Sequence, residues 1–276
     1  MKNSSRKKML YNIIAVRAAA ILLFPLVWII LNSFKSNTEM FVRPISLLPK
    51  EFSVEGYLTL LKDHHVLRSA VNSAVFAFGA LLIGLCLGVP AAYGLARYRV
   101  RGTKAVLFLF LVTQLMPASV ILTPLFMIFN KLHLLNTYFA PILSVATISV
   151  PFVVITTRPY FLSLPLELEE AARIDGCNAF KAFLLVILPV ARSGLITASC
   201  IAFIYGWNDL IFSMTFITND KLRPLTNLFY MLMPVEGIEW SAIMALATIV
   251  VLPIIILFVS LQKFIVSGLT SGAVKS

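Results

Sequence analysis

Charged side chains are scarce in this sequence. Asp, Glu, Lys and Arg make up only 13% of its 276 residues, whereas 59% are hydrophobic. Soluble globular domains carry about 25% charged residues, so a water-soluble fold of this length would be unable to cover its apolar surface. The composition excludes a soluble domain and predicts an all-α, polytopic membrane protein for which lipid is the solvent.

Residues that carry metal, redox or catalytic chemistry are also few. The three cysteines are Cys86, Cys177 and Cys200, and the three histidines are His64, His65 and His133. They show neither metal-ligand spacing nor a disulfide framework, and the chain has no Walker loop to hold a nucleotide. We therefore predict no catalytic residue, no metal site and no cofactor in this chain. A membrane enzyme, which would need clustered His, Asp or Glu near the end of a span, is disfavoured.

Long apolar stretches dominate what is present. Six of them can cross about 30 Å of hydrocarbon, and these are Asn12–Leu31, Ser69–Tyr93, Ala105–Phe129, Tyr138–Val154, Val186–Met214 and Ser241–Phe264. They predict a transmembrane domain over residues 12–264, a cytosolic N-terminal tail over residues 1–11 and a cytosolic C-terminal tail over residues 265–276. Prolines inside several stretches predict kinks in a packed bundle, where neighbouring helices satisfy the freed backbone groups.

The basic residues are unevenly distributed among the connecting segments. Most of the 23 Lys and Arg residues fall on one side if both termini are cytosolic, and the net charge of +11 resides on that side. This positive-inside bias orients the chain and accounts for the charge without nucleic acid as a partner. Two long loops, near residues 32–68 and 216–240, then lie outside. They are either ordinary polar loops or contact surfaces for an outside partner.

The inner loop between the fourth and fifth spans, residues 158–189, predicts a helix, a glycine turn and a second helix. Ser163 and Pro165 are typical of a helix start, and the acids that follow suit the positive end of the helix dipole. Gly176 stands where a left-handed turn would end this helix, and Asn178 can cap the next one. Such a helix suits docking into a groove of another protein, whereas its acidic start disfavours a helix lying on the bilayer.

The residue spacing in this loop is that of a known motif. Glu170-Ala171-Ala172, Gly176 and Leu188-Pro189 match the EAA motif of bacterial ABC-importer permeases, with Val186 where the family usually has isoleucine. Over nearly its whole length the chain resembles these permeases, whose type I fold has six transmembrane helices and a cytosolic coupling helix. Four further segments are similar to the carbohydrate branch, and within it to the second permease subunit of the maltose-importer type: Ser33-Phe34-Lys35, Leu47-Leu48-Pro49, Gly206-Trp207-Asn208-Asp209 and the ending from Ser267 to Lys275.

The resemblance implies a permease subunit of an ATP-driven, binding-protein-dependent importer for a sugar or oligosaccharide, multi-pass in the bacterial plasma (inner) membrane. Its partners would be a second related permease, two ATPase subunits that hold ATP and Mg, and an extracytoplasmic solute-binding protein. Contact with the ATPases is expected at Glu170, Ala171, Ala172, Asp175, Gly176, Leu188 and Pro189. The small side chains of Ala171 and Ala172 would allow close approach. The C-terminal tail would reach the ATPases through Gly268, Thr270, Gly272 and Lys275.

Polar groups within the spans are candidates for the translocation path, because a charge facing lipid is costly. The candidates are Gln114, Trp207, Asn208 and Asp209, with Thr113, Asn130 and Tyr205 as weaker ones. In the maltose type, the other permease makes most sugar contacts. A permease for a non-sugar solute stays open as an alternative. An ion-coupled secondary transporter is disfavoured, since repeated halves are not visible and Asp209 is the one candidate acid inside a span.

Overall fold

A computed structural model describes residues 2–62, 65–233 and 237–271. This part of the chain is helical and contains no strand. Its α-helices are α1 (Lys2–Asn32), α2 (Glu55–Lys62), α3 (Val66–Arg97), α4 (Thr103–Leu115), α5 (Ala118–Lys131), α6 (Phe139–Ser163), α7 (Glu167–Ile174), α8 (Ala179–Ala182), α9 (Leu188–Val190), α10 (Arg192–Trp207), α11 (Ile211–Phe216), α12 (Leu225–Met231) and α13 (Trp240–Ser271). Short 3₁₀ turns cover Glu39–Phe41 and Asp220–Leu222, and a π-helical turn covers Phe183–Ile187.

Five segments are long and apolar enough to cross a membrane. They are Lys8–Asn32, Val66–Arg97, Phe139–Ser163, Arg192–Phe216 and Trp240–Phe264. The first, second and sixth predicted spans are confirmed within these helices. The helix of the fourth predicted span, α6, continues beyond the predicted end at Val154, because Pro151 and Pro159 are both accommodated inside it. Residues 158–163, which we expected in the cytosolic loop, are therefore the last turns of α6.

The third predicted span, Ala105–Phe129, in which prolines were expected to cause kinks, is broken into two helices. The segment is divided into α4 and α5, which are bent by 101° at the break. Met116 and Pro117 between them are extended. Met116 is extended because the residue before a proline avoids the helical conformation. Pro124, in contrast, stays inside α5. Within the described residues, the number of candidate spans rises from five to six if this bent pair counts as one.

The fifth span also differs from its predicted bounds of Val186–Met214. Val186 lies in the π-helical turn, where the Leu188 N–H donates to the Phe183 carbonyl five residues earlier. Pro189 follows and has no N–H to continue a regular helix. The span instead begins at Arg192, and residues 208–210 interrupt it between α10 and α11.

The described helices belong to two compact units, residues 1–67 with 228–252 and residues 68–227 with 253–276. In the first unit, Lys35 is 1% exposed. Its Nζ donates to the Ser46 carbonyl at 2.6 Å and lies 5.1 Å from the centre of the Trp28 ring. Phe34 stacks on Phe52 with ring centres 4.8 Å apart. The Ser-Phe-Lys segment thus fixes the loop after α1.

Helix α6 forms the core of the second unit and packs against α4, α10 and α11. Glycines allow α3 to approach two helices of this unit closely. A Cβ on Gly88 would lie 2.8 Å from the Cβ of Val153 on α6, and one on Gly206 of α10 would lie 2.7 Å from the Cα of Ala77. Small residues at such crossings let membrane helices pack closely, so α3, α6 and α10 form one packed group.

Candidate functional site

Helix α7, in the loop after α6, begins later than its sequence signals indicated. Ser163 is the last residue of α6 and donates its hydroxyl to the Tyr160 carbonyl at 2.8 Å, so it is engaged within α6 rather than at the start of α7. Leu164 is extended because Pro165 follows it. Helical backbone hydrogen bonds resume at Leu166, whose carbonyl accepts from Glu170 at 3.2 Å. The predicted start at Ser163 and Pro165 is therefore wrong by a few residues.

The predicted end of α7 is confirmed in detail. Gly176 has a φ of 85°, which is the left-handed conformation that glycine adopts without steric cost. The Gly176 N–H donates to Arg173 at 3.0 Å and the Cys177 N–H to Ala172 at 2.9 Å, which is the Schellman pattern. Asn178 then caps the next helix, since its Oδ1 accepts from the Lys181 N–H at 2.8 Å. The helix–turn–helix geometry was thus encoded locally.

The two faces of α7 differ sharply. Glu169 and Ala172 are its buried residues, whereas Glu170 and Ala171 are exposed and Ile174 is 86% exposed. The two alanines expected to allow close approach of the ATPases therefore lie on different faces, Ala171 outward and Ala172 inward. A residue three positions after Glu169 returns to the same side of a helix, so Ala172 faces inward with Glu169. The outward face includes Glu170, Ala171 and Ile174, followed by the exposed Asp175 and Gly176; Glu167 and Arg173 of α7 are exposed as well.

The motif residues beyond the turn are placed differently from α7. Leu188 is half-buried and packs against the cluster that contains Phe161, Phe183 and Ile187. Pro189 is exposed. Leu188 therefore serves the core of the second unit and does not extend the exposed face. In the C-terminal segment, α13 continues to Ser271, so Gly268 and Thr270 are helical. Gly272 and Lys275 lie outside the described residues.

A buried ion pair holds the inner face of α7. Arg97 Nε, at the end of α3, lies 2.7 Å from Glu169 Oε1, with the two side chains 6% and 10% exposed. Arg97 Nη2 also donates to the Leu164 carbonyl at 2.9 Å. Sequence reasoning treated Glu169 as a helix-dipole acid and Arg97 as a cytosolic charge, and it missed the pairing. The three-residue spacing of Glu169 and Ala172 was the signal in the sequence, because it places both side chains on the same face of the helix.

The candidate acid of the translocation path, Asp209, is engaged with the backbone. It is 8% exposed, and its two carboxylate oxygens accept from the N–H groups of Phe212 at 3.1 Å and Ser213 at 2.9 Å. These are free N–H groups in the first turn of α11, so the Asp209 side chain caps this helix from the position before its N-cap residue, Leu210. The Thr226 hydroxyl donates to the Asp209 carbonyl. The carboxylate is therefore committed to holding the break between α10 and α11.

The other path candidates are not gathered at one surface. Trp207 is 6% exposed and stacks on Phe203 with ring centres 5.7 Å apart. Gln114 is half-buried and donates to the Ile148 carbonyl of α6 at 3.0 Å. Asn208, the last residue before Asp209, is exposed. Among the four, Asn208 is the exposed side chain.

The weaker path candidates are likewise dispersed. The Thr113 hydroxyl donates to the Phe110 carbonyl at 2.7 Å within α4. Asn130 is exposed near the end of α5. Tyr205 is half-buried and makes an edge contact with Phe152, with ring centres 5.6 Å apart. Thr113 and Tyr205 are thus engaged in packing within the unit.

Comparison with known proteins places this geometry in context. Residues 84–271 match the sequence profile of the family described as "Binding-protein-dependent transport system inner membrane component". The sulfoquinovosyl glycerol transport system permease protein SmoH of Agrobacterium fabrum is 32% identical, over 94% of this chain and 92% of its own. The diacetylchitobiose uptake system permease protein DasC of Streptomyces coelicolor is 31% identical over 100% of both chains.

A solved structure shares the fold. One chain of a bacterial ABC transporter involved in the import of the acidic polysaccharide alginate superposes with a TM-score of 0.77, at 23% sequence identity. The superposition covers 96% of the present chain and 98% of that one. The likeness extends over nearly the whole length of both chains, so the two chains share a fold.

Proposed function

Because the chain belongs to the family of binding-protein-dependent transport system inner membrane components, we propose that it is a permease subunit of an ATP-driven importer for a sugar or oligosaccharide. As a member of this family it is a multi-pass inner membrane protein and a transport component rather than a catalytic subunit. The carbohydrate cargo is supported by its relatives, named for the transport of sulfoquinovosyl glycerol and of diacetylchitobiose.

The working complex contains this chain, a second related permease, two ATPase subunits and an extracytoplasmic solute-binding protein. ATP and Mg belong to the ATPases. Both termini are cytosolic, which the excess of basic residues in the inner loops supports. This orientation places α7 and its outward face on the side where ATP is hydrolysed.

Coupling to the ATPase takes place at the outward face of α7, and this face is the observation that carries the proposal. It combines an exposed carboxylate (Glu170), a small side chain (Ala171) and an apolar side chain that is 86% exposed (Ile174). Glu170 pairs with a basic residue of the ATPase groove, since charge-assisted hydrogen bonds are strong and directional. The turn at Gly176 ends α7, so that this short helix fits into the groove of the ATPase. The segment after Phe264, with Gly268 and Thr270, provides a second contact.

The translocation path passes the break between α10 and α11. Asp209 holds this break open by capping α11, and it thereby presents the exposed Asn208 amide, which can donate to and accept from sugar hydroxyls. Trp207 supports the same turn from the buried side. Gln114 fixes α4 against α6 along this path.

The proposal is tested by capturing a tagged chain from detergent-solubilised membranes and identifying what accompanies it by mass spectrometry. We expect a second permease and an ATPase. A binding protein captured with them is then screened against sugars and against non-sugar solutes, and a sugar ligand is expected. Recovery of the chain without an ATPase, or a binding protein specific for a non-sugar solute, would contradict the respective part of the proposal.

A further inference from the structure

Two arginines link the C-terminal ends of α3 and α6, and each donates to the backbone of the other helix end. Arg97, the last residue of α3, donates from Nη2 to the Leu164 carbonyl just after α6, at 2.9 Å. Arg158, in the last turns of α6, donates from Nε to the Leu95 carbonyl of α3 at 3.1 Å. Since each arginine satisfies a carbonyl near the end of the other helix, the two ends form one joined block.

The same Arg97 holds α7. Its Nε lies 2.7 Å from Glu169 Oε1, and neither atom has another hydrogen-bond partner among the described residues. The Tyr93 ring of α3 packs against the Phe183 ring with centres 4.6 Å apart. The side chains of the ion pair are 6% and 10% exposed, so each buried charge depends on the other.

Apolar packing of α7 rests on two side chains. Ala172 is buried, and the half-buried Leu168 packs against the cluster that contains Phe161 and Phe183. A buried ion pair gives little net stability compared with apolar side chains of similar volume, but removing one partner leaves a costly unpaired charge. Its evident effect here is to fix the position of α7 relative to α3.

We propose that the Arg97–Glu169 pair is a positioning link that transmits displacement of α7 to α3. The inference rests on the proposed function, because it requires α7 to be the element that the ATPases move. Two adjacent residues then have different partners: Glu170 contacts the ATPase, and Glu169 contacts Arg97 within the permease. Helix α3 continues unbroken for 32 residues and packs closely on α6 at Gly88, so movement at Arg97 reaches the core of the unit.

The test is a double-mutant cycle in the full complex, with Glu169→Gln, Arg97→Gln and the two combined. Each complex is reconstituted in liposomes with its binding protein, and three quantities are measured: the amount of assembled complex, ATP hydrolysis stimulated by the binding protein, and sugar uptake. Each single variant should lower uptake by at least about fivefold, the lower end of typical coupling between sites. The double variant should recover assembly, because it leaves no unpaired buried charge, but not uptake.

Recovery of both assembly and uptake in the double variant would overturn the inference, because the pair would then be a structural element only. Normal uptake in the single variants would overturn it as well. Arg97→Lys offers a conservative comparison, since it retains the charge beside Glu169. We expect it to retain more uptake than Arg97→Gln.

Two further measurements keep the outcomes distinct. If the double variant fails to assemble, Arg97→Cys and Glu169→Cys are combined in a background lacking the native cysteines and joined by a flexible thiol cross-linker. Uptake regained on cross-linking supports the link, and uptake still absent refutes it. Glu170→Gln serves as the neighbouring control. Loss of coupling at Glu170 with none at Glu169 or Arg97 would leave the proposed function intact and remove this inference, whereas a wild-type complex without ATP-driven uptake would remove the proposed function itself.

Discussion

Replacing Gly176 by valine should weaken the binding of the ATPase subunits to this permease. The residue has a φ of 85°, and the backbone hydrogen bonds of Gly176 and Cys177 close α7. A Cβ added at Gly176 would meet nothing within 4 Å, so the penalty arises from the backbone conformation alone. The left-handed conformation costs an L-residue about 1–2 kcal/mol, and a β-branched side chain is especially unfavourable there.

This energy changes the population of the native turn by a factor of about 5–30. If the ATPases bind only the native turn, the apparent Kd rises by up to the same factor, because the competent fraction falls. The assay is a titration of fluorescently labelled ATPase subunits against the permease pair in lipid nanodiscs. Gly176→Asn should retain most of the affinity, since asparagine adopts the left-handed conformation more readily than other non-glycine residues.

Gly102 provides a matched control for the same substitution. It has a φ of 84°, and a Cβ there also meets nothing within 4 Å, but it precedes α4 and lies away from the α7 turn in sequence. Gly102→Val carries equal backbone strain and should change the Kd by no more than about twofold, as surface substitutions usually do. An unchanged Kd for Gly176→Val, or an equal loss for Gly102→Val, would refute the reasoning.

Three further predictions concern single side chains. Glu170→Lys should leave the chain in the membrane but abolish coupled uptake, because the reversed charge repels a basic groove; normal uptake in membrane vesicles would contradict this. Asp209→Ala should destabilise the folded protein by about 1–2 kcal/mol through loss of the α11 cap, whereas Asp209→Asn should cost less, and thermal unfolding in detergent that ranks them otherwise argues against the cap. The Lys50 N–H, followed by the Ser46 hydroxyl, lowers the pKa of Glu39 from its ordinary value of 4.5. A lowered folded pKa means that this contribution to loop stability is present above pH 4.5 and is lost as the pH falls through the folded value. Limited proteolysis of the loop should therefore accelerate in acid for the wild type but not for Glu39→Gln, and equal pH dependence in both would exclude this role.

Local signals were sufficient for the end of α7 and for three of the six predicted spans. Gly176 and Asn178 act on backbone groups within a few residues of themselves, so their geometry could be predicted without knowledge of the fold. Long apolar runs likewise predict membrane helices because the bilayer thickness sets their length. The first, second and sixth spans needed nothing more.

Features that depend on neighbouring helices were not accessible from sequence. Pro117 breaks the third span, whereas Pro124 and Pro151 stay inside helices; which outcome occurs depends on whether packing satisfies the freed backbone groups. The Arg97–Glu169 pair joins residues that are far apart in the chain, so no local sequence pattern predicts it. From the sequence we interpreted Asp209 as a functional acid within a span. Its capping role depends on the break between α10 and α11, and the continuous apolar run gives no sign of that break.

ATP dependence of transport tests the central claim most directly. The captured complex is reconstituted in liposomes with its binding protein, and uptake of the labelled sugar that this protein binds is followed with and without ATP. The account predicts uptake that requires ATP, the binding protein and the ATPase subunits together. Solute movement by this chain alone, without ATP and with an ion gradient as the driving force, would contradict the importer assignment and favour a secondary transporter.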